Sequence, residues 1–333
     1  MIRLFLAIDG GNSKTDVVLA DTTGTVLGYA RGPGSSPHHL GLAGSIELLD
    51  DLVAKAVGGG SLPVDSGPVD RADVFLAGAD LPVEVEQLTA AVAARGWAHH
   101  CAVDNDTFAL LRAGVDTADA ATGAVAVVCG AGINCVGRTG DGRSVRFPSL
   151  GDITGDWGGG QHLAQLALWH AARGEDGRGP VTALTAAVAQ HFGRVSAEDV
   201  GIGLHLGEIA RGRVDELTRV LFDVAAAGDA VARSVLDQQA DEIVAFARVA
   251  ITKLELAATD VPVVLGGGIL RAGWELLEPR IAAGVAAVAP RARLTFVDDA
   301  PVVGAALSAL DALGAPEAAH VALRQAVRDA ARS

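Results

Sequence analysis

A strand-and-turn pattern occurs twice in this chain, and the repeat limits the folds that the chain can adopt. Residues 4–30 hold three apolar runs, separated first by a glycine turn and then by a hairpin turn, and residues 125–147 hold the same arrangement. The glycine turns, at Gly10 and Gly130, lie 120 residues apart. Short apolar runs bounded by glycine indicate β-strands. The spacing predicts an internal duplication in which each half opens with its own glycine loop, the alternative being a chance likeness of two hairpins.

Helical periodicity alternates with short strands through the remainder of the chain. The pattern predicts helices over residues 42–57, 83–94, 160–173, 181–192, 214–227 and 230–257, with strands at 74–77, 101–103 and 261–265. Residues 64–73, which include Gly67 and Pro68, are expected to form a loop. The 333 residues are about twice the length of one typical domain. We therefore expect an α/β protein of two domains, residues 1–113 and 114–333.

The charge balance and the cysteine content argue against several classes of protein. The 26 basic and 40 acidic residues give a net charge of −14, which disfavours binding to a nucleic-acid backbone. Cys101, Cys129 and Cys135 form no CxxC pair, so we expect a reducing cytoplasm rather than a disulfide framework. No apolar run approaches the ~18 residues of a membrane span. We expect a soluble, cytoplasmic protein that binds neither nucleic acid nor a membrane.

The first glycine loop, residues 9–14, follows the first predicted strand. Glycines at such a position let backbone N–H groups surround phosphate oxygens without obstruction from side chains. Asp9 can hold Mg²⁺ directly or through water. The loop has neither the GxxxxGK[ST] nor the GxGxxG spacing. From these residues alone, a phosphate site and an ordinary hairpin both remain open.

Two further glycine loops strengthen the phosphate hypothesis. Residues 130–134 repeat the first loop, and residues 266–268 are three consecutive glycines between an apolar strand and a predicted helix. Three glycines are conformationally expensive for a plain turn, whereas a flat ring or a sugar close to the backbone would require them. Three glycine loops at strand ends therefore indicate one ligand site more strongly than any single loop does.

Polar residues at other strand and helix ends have two interpretations each. Asp106 follows a strand and opens a helix, and from the residues alone it is interpreted as the helix N-cap. The glycine-rich residues 149–160 include Asp152 and Asp156, which either cap a turn or accept hydrogen bonds from hydroxyl groups. His38 and His39 are expected to be exposed loop residues, and no zinc site is predicted because no suitably spaced third ligand accompanies them.

These motifs, in this order and at this spacing, make the chain similar to the acetate and sugar kinase, Hsp70 and actin (ASKHA) superfamily. Within it, the chain resembles the BadF/BadG/BcrA/BcrD ATPase family over residues 8–310. Residues 9–16 correspond to the first phosphate motif, 130–134 to the second, 265–269 to the adenosine motif and 301–306 to the closing helix. The resemblance implies an actin-like, ribonuclease H-like α/β fold with duplicated domains and a nucleotide cleft between them.

The resemblance also implies an activity. We expect an ATP- and Mg²⁺-dependent kinase that phosphorylates an amino sugar, with N-acetylglucosamine converted to its 6-phosphate. The alternatives are glucosamine or a broad range of hexoses as acceptor. The long helices after residue 205 have apolar faces that suit a homodimer.

The matching positions imply a role for each motif residue. Asp106 matches the general base that takes the proton of the sugar hydroxyl, and Asp104 has this role if the register differs by two residues. The nucleotide would be bound by Asp9, Gly10, Gly11, Asn12, Ser13, Lys14, Gly130, Ala131, Gly132, Gly266, Gly267 and Gly268, with Mg²⁺ held by Asp9 through water. The sugar would contact Ser36, Asp106, Ile133, Asn134, Leu150, Gly151, Asp152 and Asp156.

Four residues depart from the family pattern. Ala131 replaces a usual threonine, Ile133 a usual serine and Ser36 a usual asparagine, and Trp157 stands where an acidic residue is common. These changes leave ATP chemistry in place but weaken the inference about the sugar. Asp152 would suit a free amine on the sugar, whereas Leu150 and Ile133 would suit an acetamido group.

Two other functions are weighed against the kinase. Some relatives are iron–sulfur activator ATPases of a CoA-ester dehydratase or reductase, which would require cluster-ligating cysteines. Cys129 and Cys135 are better interpreted as small buried hydrophobic residues. A sugar-sensing repressor would need a DNA-binding helix-turn-helix, which the net charge and the first strand at residue 2 disfavour.

Overall fold

The computed structural model describes residues 2–58, 67–297 and 299–332. Its first sheet has the strand order β3-β2-β1-β4-β5. β1 is antiparallel to β2 and parallel to β4, and β4 is parallel to β5. The strands of this sheet are β1 (Leu4–Gly10), β2 (Lys14–Asp21), β3 (Val26–Pro33), β4 (Val69–Leu76) and β5 (Ala98–Asn105).

The second sheet repeats the topology of the first. Its order, β10-β9-β6-β7-β8, has β6 antiparallel to β7 and parallel to β9, as β1 is to β2 and β4. The strands are β6 (Gly123–Cys129), β7 (Ile133–Thr139), β8 (Ser144–Arg146), β9 (Pro262–Gly266) and β10 (Arg293–Phe296). The predicted α/β fold with an internal duplication is therefore confirmed.

Helices cover both sheets, and most of them follow the second glycine loop. The helices are α1 (Pro37–Gly58), α2 (Pro82–Ala93), α3 (Asp106–Ala113), α4 (Thr117–Thr122), α5 (Gly160–Asp176), α6 (Leu184–His191), α7 (Ala197–Leu206), α8 (Leu217–Ala226), α9 (Ala230–Lys253), α10 (Gly268–Val288), α11 (Pro301–Ala312) and α12 (Glu317–Ala330). Side-chain caps start several of them: Ser196 accepts from the N–H of Asp199 in α7, and Asp229 from that of Ala232 in α9. None of the helices in the described ranges is long and apolar enough to cross a membrane.

The alternation of side chains along β1 places this strand between two cores. Phe5 and Ala7 belong to the core that contains α3 and α11, whereas Leu6 and Ile8 belong to the core that contains residues of α1 and α2. A strand buried on both faces is expected to be apolar throughout, as β1 is. The loop that ends β1 is therefore held on a rigid, fully buried strand.

The helices α3 and α11 connect the two halves of the molecule. Both contribute to the core that also contains Ala124 and Ala126 of β6. The last two helices return to the first sheet, since α11 packs against β1 and α12 against β3. The boundary predicted between residues 113 and 114 separates the two sheets along the chain, but α11 and α12 pack with the first sheet.

Two local predictions differ from the structure. β4 begins at Val69, within the predicted loop of residues 64–73, because Val69–Leu76 pairs in parallel with β1 and β5. Residues 64–66 of that predicted loop lie outside the described residues. His38 and His39 lie in the first turn of α1 rather than in a loop, with Pro37 at its start.

Candidate active site

Two cavities adjoin each other at the strand ends that carry the glycine loops. Cavity A, of about 380 Å³, is lined by the first loop, by Gly267 after β9 and by the start of α11. Cavity B, of about 320 Å³, is lined by the second loop, the β4–α2 connection and His38. The residues that line both cavities are Asn12, Ser13, Asp106, Thr107 and Val128. Asp106 is the acidic residue among these five.

Asp106 is the first residue of α3, but Asn105 is its N-cap. The Asn105 Oδ1 atom accepts a hydrogen bond from the Thr107 N–H at 2.9 Å. The interpretation of Asp106 as the N-cap is therefore wrong, because the preceding residue satisfies the helix end. The Asp106 carboxyl group is left at the wall shared by the two cavities.

The surroundings of Asp106 favour a carboxyl group that can exchange a proton near neutral pH. Burial raises the pKa of Asp106 to about 6, although hydrogen bonds from Thr107 act in the opposite direction. A general base works best when its pKa lies near the working pH. Asp106 therefore combines a position between two cavities with the acidity that proton abstraction needs.

Asp104, the alternative base, is tied to the other half of the molecule. Its carboxylate accepts hydrogen bonds from Arg138 Nη2 at 2.8 Å and from Arg146 Nη2 at 2.6 Å. Both guanidinium groups also lie over the ring of Phe108, at 4.2 and 5.2 Å from its centroid. Asp104 lines neither cavity, which supports Asp106 over Asp104 as the base.

Asp9 and Asp16 are paired directly across the β1–β2 ladder, and of the two only Asp16 forms ion pairs with basic residues among the described residues. Asp16 Oδ1 accepts from the Tyr29 hydroxyl and from Arg31 Nε, each at 2.6 Å. Asp9 forms no ion pair with the described residues. Burial, and then the charges of Asp106 and Asp16, raise the pKa of Asp9 well above its ordinary value. A buried carboxylate that lacks a counter-charge and borders cavity A fits a divalent cation.

The first glycine loop lines cavity A except at Gly10. Gly11, Asn12, Ser13 and Lys14 all border the cavity. A Cβ atom at Gly10 would lie 2.3 Å from Ser35 Oγ and 2.5 Å from Leu76 Cδ2, so close packing requires this glycine. The binding role predicted for Gly10 stays a prediction, and its packing role is clear.

Of the three consecutive glycines, Gly267 borders cavity A. Its φ of +102° is one that favours glycine, and a Cβ atom there would lie 2.2 Å from the Cys129 carbonyl oxygen. At Gly266 a Cβ atom would meet Leu110 at 2.6 Å, whereas the space beside Gly268 is open. The glycine run therefore also serves the close approach of β6, β9 and α3.

Arg271 and Asp299 line cavity A, and neither was predicted as a site residue. Arg271 lies one turn into α10, and Asp299 precedes α11, where it pairs with Arg324 at 3.0 Å. No local pattern marks these two positions, because only the packing of α10 and α11 turns them toward the cavity.

The second glycine loop lines cavity B rather than cavity A. Gly130, Ala131 and Gly132 border cavity B together with Ile133 and Asn134. The 149–160 stretch packs onto this loop, with Gly160 N–H donating to the Gly130 carbonyl at 2.8 Å. The two motifs, separated along the chain, therefore meet at one wall of cavity B.

The predicted sugar contacts fall into two groups. Asp106, Ile133 and Asn134 line cavity B, whereas Ser36 is buried behind Gly78. Asp156 accepts hydrogen bonds from Gly151 N–H and Thr154 Oγ1, and it therefore holds its own turn. The residues of that turn do not line cavity B, and their role in binding stays a prediction for Leu150, Gly151, Asp152 and Asp156.

Four polar residues at cavity B were not predicted as site residues: His38, Asp80, Thr107 and Ser149. Ser149 has a φ of +51°, unusual for a residue other than glycine, and its buried Oγ has no hydrogen-bond partner among the described residues. Strain and an unsatisfied hydroxyl group at a cavity wall are typical of a ligand contact. The strained backbone is a tertiary feature that the sequence pattern did not signal.

His38 has carboxylate neighbours that the sequence spacing concealed. Its potential ligand atom and those of Asp80 and Glu84 all lie within 4.8 Å of one another. The expectation that no suitable carboxylate accompanies His38 is therefore wrong. Glu84 already accepts from His38 Nε2 at 3.0 Å and from the N–H groups of Asp80 and Leu81, so the Glu84 carboxylate is satisfied by His38 and by the start of α2.

The cysteines do not form a cluster-binding surface. Cys129 and Cys135 are fully buried in the core of the second half. Burial raises the pKa of the Cys129 thiol to about 12 and that of Cys135 still further. Iron–sulfur ligation needs accessible thiolates, so the burial of both thiols argues against the activator hypothesis.

Comparison with known proteins identifies the relatives of this chain. It is 25% identical over 272 residues to the N-acetylmuramic acid/N-acetylglucosamine kinase of Clostridium acetobutylicum, covering 81% of this chain and 86% of that protein. It is also 25% identical over 326 residues to the N-acetyl-D-glucosamine kinase of Dictyostelium discoideum, covering 93% of this chain and 98% of that protein.

A solved structure supports the fold assignment. The crystal structure of a provisionally named N-acetylglucosamine kinase from Chromobacterium violaceum matches with a TM-score of 0.69 at 22% identity, covering 92% of this chain and 98% of that chain. This likeness confirms the predicted ASKHA fold. The family model of the BadF/BadG/BcrA/BcrD ATPases matches residues 6–309, which is most of the sequence, and the chain therefore belongs to the BadF/BadG/BcrA/BcrD ATPase family.

Proposed function

We propose that this protein is an ATP-dependent kinase that transfers the γ-phosphoryl group to the 6-hydroxyl of an amino sugar, with N-acetylglucosamine as the acceptor. The observation that carries the proposal is the position of Asp106 on the wall shared by cavities A and B. A kinase needs one base between a nucleotide and an acceptor, and Asp106 is the carboxylate that borders both spaces.

In this mechanism ATP occupies cavity A and the sugar occupies cavity B. The oxygen of the sugar 6-hydroxyl attacks the γ-phosphorus in line with the departing ADP oxygen, and Asp106 accepts the proton of that hydroxyl. The first glycine loop binds the phosphate oxygens of the nucleotide in cavity A, and the second loop contacts the transferred γ-phosphoryl group from the side of cavity B. Lys14 and Arg271 at cavity A supply positive charge to the nucleotide phosphates.

Mg²⁺ would be held by Asp9, directly or through water, and would neutralise charge on the β- and γ-phosphates. The fit rests on the uncompensated, buried carboxylate of Asp9 at cavity A. Its partner across the ladder, Asp16, already pairs with the charged groups of Arg31 and Lys14 and is not needed as a ligand.

The choice of acceptor rests on two supports. Two curated relatives are named as kinases of N-acetylglucosamine, one of them also of N-acetylmuramic acid. Ile133 is an apolar side chain at cavity B that suits an acetamido methyl group. Asp152, which would have favoured a free amine, is exposed outside the cavity. Glucosamine and other hexoses remain the alternative acceptors.

Two further features belong to the proposal. Closure of the two halves around the ligands would exclude the water that otherwise hydrolyses ATP. A homodimer, predicted above from the helices after residue 205, would instead cover exposed apolar side chains of two earlier helices: Trp169 in α5, and Ile202 and Leu206 in α7. We infer a cytoplasmic location from the use of ATP.

A coupled assay of ADP release, run on purified protein against a panel of sugars, tests the proposal. We expect kcat/KM to be highest for N-acetylglucosamine, lower for glucosamine and lowest for glucose, with little ADP released in the absence of sugar. A glucose value equal to or above both amino sugars would contradict the proposed acceptor. A brown protein that hydrolyses ATP without any sugar would contradict the kinase and restore the activator hypothesis.

A further inference from the structure

Asp80 lies at cavity B with one carboxylate oxygen uncommitted. It lies in the connection between β4 and α2, and it lines the cavity together with Asp106 and Asn134. Its Oδ1 atom accepts a hydrogen bond from Asn105 Nδ2 at 2.8 Å. Its Oδ2 atom forms no hydrogen bond with the described part of the chain. Asp80 therefore presents a free acceptor to whatever occupies the cavity.

Asp80 lies just before α2, where an aspartate often caps a helix, but Glu84 accepts the hydrogen bonds at this helix end. The N-cap of α2 is Leu81, and Glu84 reaches back to accept from the N–H groups of Asp80 and Leu81 at 3.0 and 2.8 Å. Because Glu84 satisfies the helix end, the Asp80 carboxylate is not needed there. An aspartate that is partly buried without a capping role requires another explanation.

The bond to Asn105 connects Asp80 to the rest of the site. Asn105 Nδ2 donates a hydrogen bond to Asp80, which fixes the orientation of the Asn105 amide. Asn105 Oδ1 then accepts from Thr107 N–H and, at 3.3 Å, from Asn134 Nδ2. Asn134 Oδ1 is occupied by the N–H of Cys135, which leaves Asn134 as a donor toward the cavity. Asp80 and Asp106 are the two carboxylates among the described residues that line cavity B.

We propose that Asp80 is a substrate-binding residue whose free oxygen accepts a hydrogen bond from a hydroxyl or N–H group of the sugar. The inference rests on the proposed kinase function and adds a second carboxylate to the acceptor site. Asp106 accepts from the hydroxyl that is phosphorylated, whereas Asp80 binds a donor elsewhere on the sugar. Such a contact stabilises the bound sugar without taking part in phosphoryl transfer.

The charges around Asp80 predict a pH signature for sugar binding. The groups that face it are His38 on α1, Glu84 on α2, Asp106 on α3 and Arg146 on β8. Burial, followed by the charge of Asp106, raises the pKa of Asp80 to about 7. The ionised carboxylate is the stronger acceptor, so the sugar should bind more tightly as the pH rises through 7.

The variants Asp80→Asn and Asp80→Ser test the assignment, with Asp51→Asn, an exposed position on α1, as the matched control. Asp80→Asn keeps an oxygen for Asn105 but replaces the free acceptor by a donor. We expect the KM for the sugar to rise about 10- to 100-fold, the loss of one hydrogen bond to a charged group. The KM for ATP should stay within about twofold, since cavity A is unchanged.

The pH profile separates binding from a merely structural role. In the wild-type protein the Kd for the sugar, measured by calorimetry, should fall between pH 6 and 8. In Asp80→Asn the remaining dependence should centre near pH 6, where Asp106 titrates. If Asp80 acted only through Asn105, which caps the helix of Asp106, the variant would have a lower kcat, and the pH dependence of its sugar Kd would match that of the wild type.

The outcomes distinguish this inference from the proposed function. A wild-type protein that phosphorylates no sugar contradicts the kinase and, with it, the assignment of Asp80. A wild-type protein that phosphorylates the sugar, with an Asp80→Asn variant of unchanged sugar KM, overturns the assignment alone. Parallel rises in both KM values, or failure of both Asp80 variants to fold, would show a structural role and also overturn it.

Discussion

The carboxylate of Asp104 accepts a hydrogen bond from the guanidinium of Arg138 at 2.8 Å, and this bond joins β5 of the first sheet to β7 of the second. Arg146 on β8 binds the other carboxylate oxygen. Two residues farther along the chain, Asp106 lines both cavities. Neighbouring aspartates therefore have separate tasks, one in holding the two halves together and one at the site.

Replacement of Asp106 should abolish most of the catalysis. Asp106→Asn keeps the shape of the side chain but removes the basic oxygen, so kcat should fall about 10²- to 10⁴-fold. Binding of a non-hydrolysable ATP analogue, measured by calorimetry, should change little. Near wild-type turnover in this variant would remove Asp106 from the mechanism.

Replacement of Asp104 should reduce the stability of the fold more than the rate of turnover. Asp104→Asn loses one charged partner of two arginines, and we expect the free energy of unfolding to fall by about 1–3 kcal/mol. Denaturant unfolding of this variant, of Arg146→Gln and of the double variant gives the coupling energy between the two residues. A turnover loss as large as that of Asp106→Asn, at unchanged stability, would instead make Asp104 the base.

The rate should depend on pH through Asp106. The base must be ionised to accept a proton, and its pKa is raised to about 6 by burial. We therefore expect kcat to be constant above about pH 7 and to fall roughly tenfold per unit below pH 6. A profile of kcat from pH 5 to 8.5 at saturating sugar and ATP checks this. A rate that is flat down to pH 5 would contradict a base of this acidity.

Replacement of Gly267 should destabilise the fold itself. Gly267→Val forces a branched residue into a φ of +102° and places its Cβ atom against the Cys129 carbonyl oxygen. The backbone strain alone should lower the free energy of unfolding by about 1–3 kcal/mol, and the contact should lower it further. Gly268→Ala, where the space is open, is the stability control. Equal thermal stability of the two variants would contradict the packing role of Gly267.

Arg271 offers a cleaner test of nucleotide binding in cavity A. Arg271→Gln removes a positive charge from the cavity wall, and the Kd for an ATP analogue should rise about tenfold. Sugar binding should be unchanged, because Arg271 does not line cavity B. Arg280→Gln is the matched control, since Arg280 lies on the same helix and pairs with Asp241. An equal change in both variants would indicate a general charge effect rather than a contact.

Much of the fold could be read from local patterns. The glycine turns at Gly10 and Gly130 predicted the duplication, and the two sheets indeed have equivalent strand orders. Such patterns are reliable because strand alternation and glycine turns depend on the backbone and its nearest neighbours. For the same reason the start of a helix at Asp106 was predictable, since it follows directly from the end of β5.

The cap of that helix and the partners of its neighbours were decided by the tertiary structure. Asn105 rather than Asp106 caps α3, and Asp104 is paired by arginines 34 and 42 residues away. Which of three consecutive polar residues faces a cavity depends on the elements packed around them. No local pattern contains that information.

The sequence alone determined the two halves, the three glycine loops and the position of Asp106 at a strand end. Only the tertiary structure decided which residues share a cavity wall, and it added Asp80, Ser149 and Arg271 while leaving Asp152 outside. The physical reason is that secondary structure follows from interactions within a few residues. A binding site is formed by side chains that distant segments bring together when their apolar faces are buried.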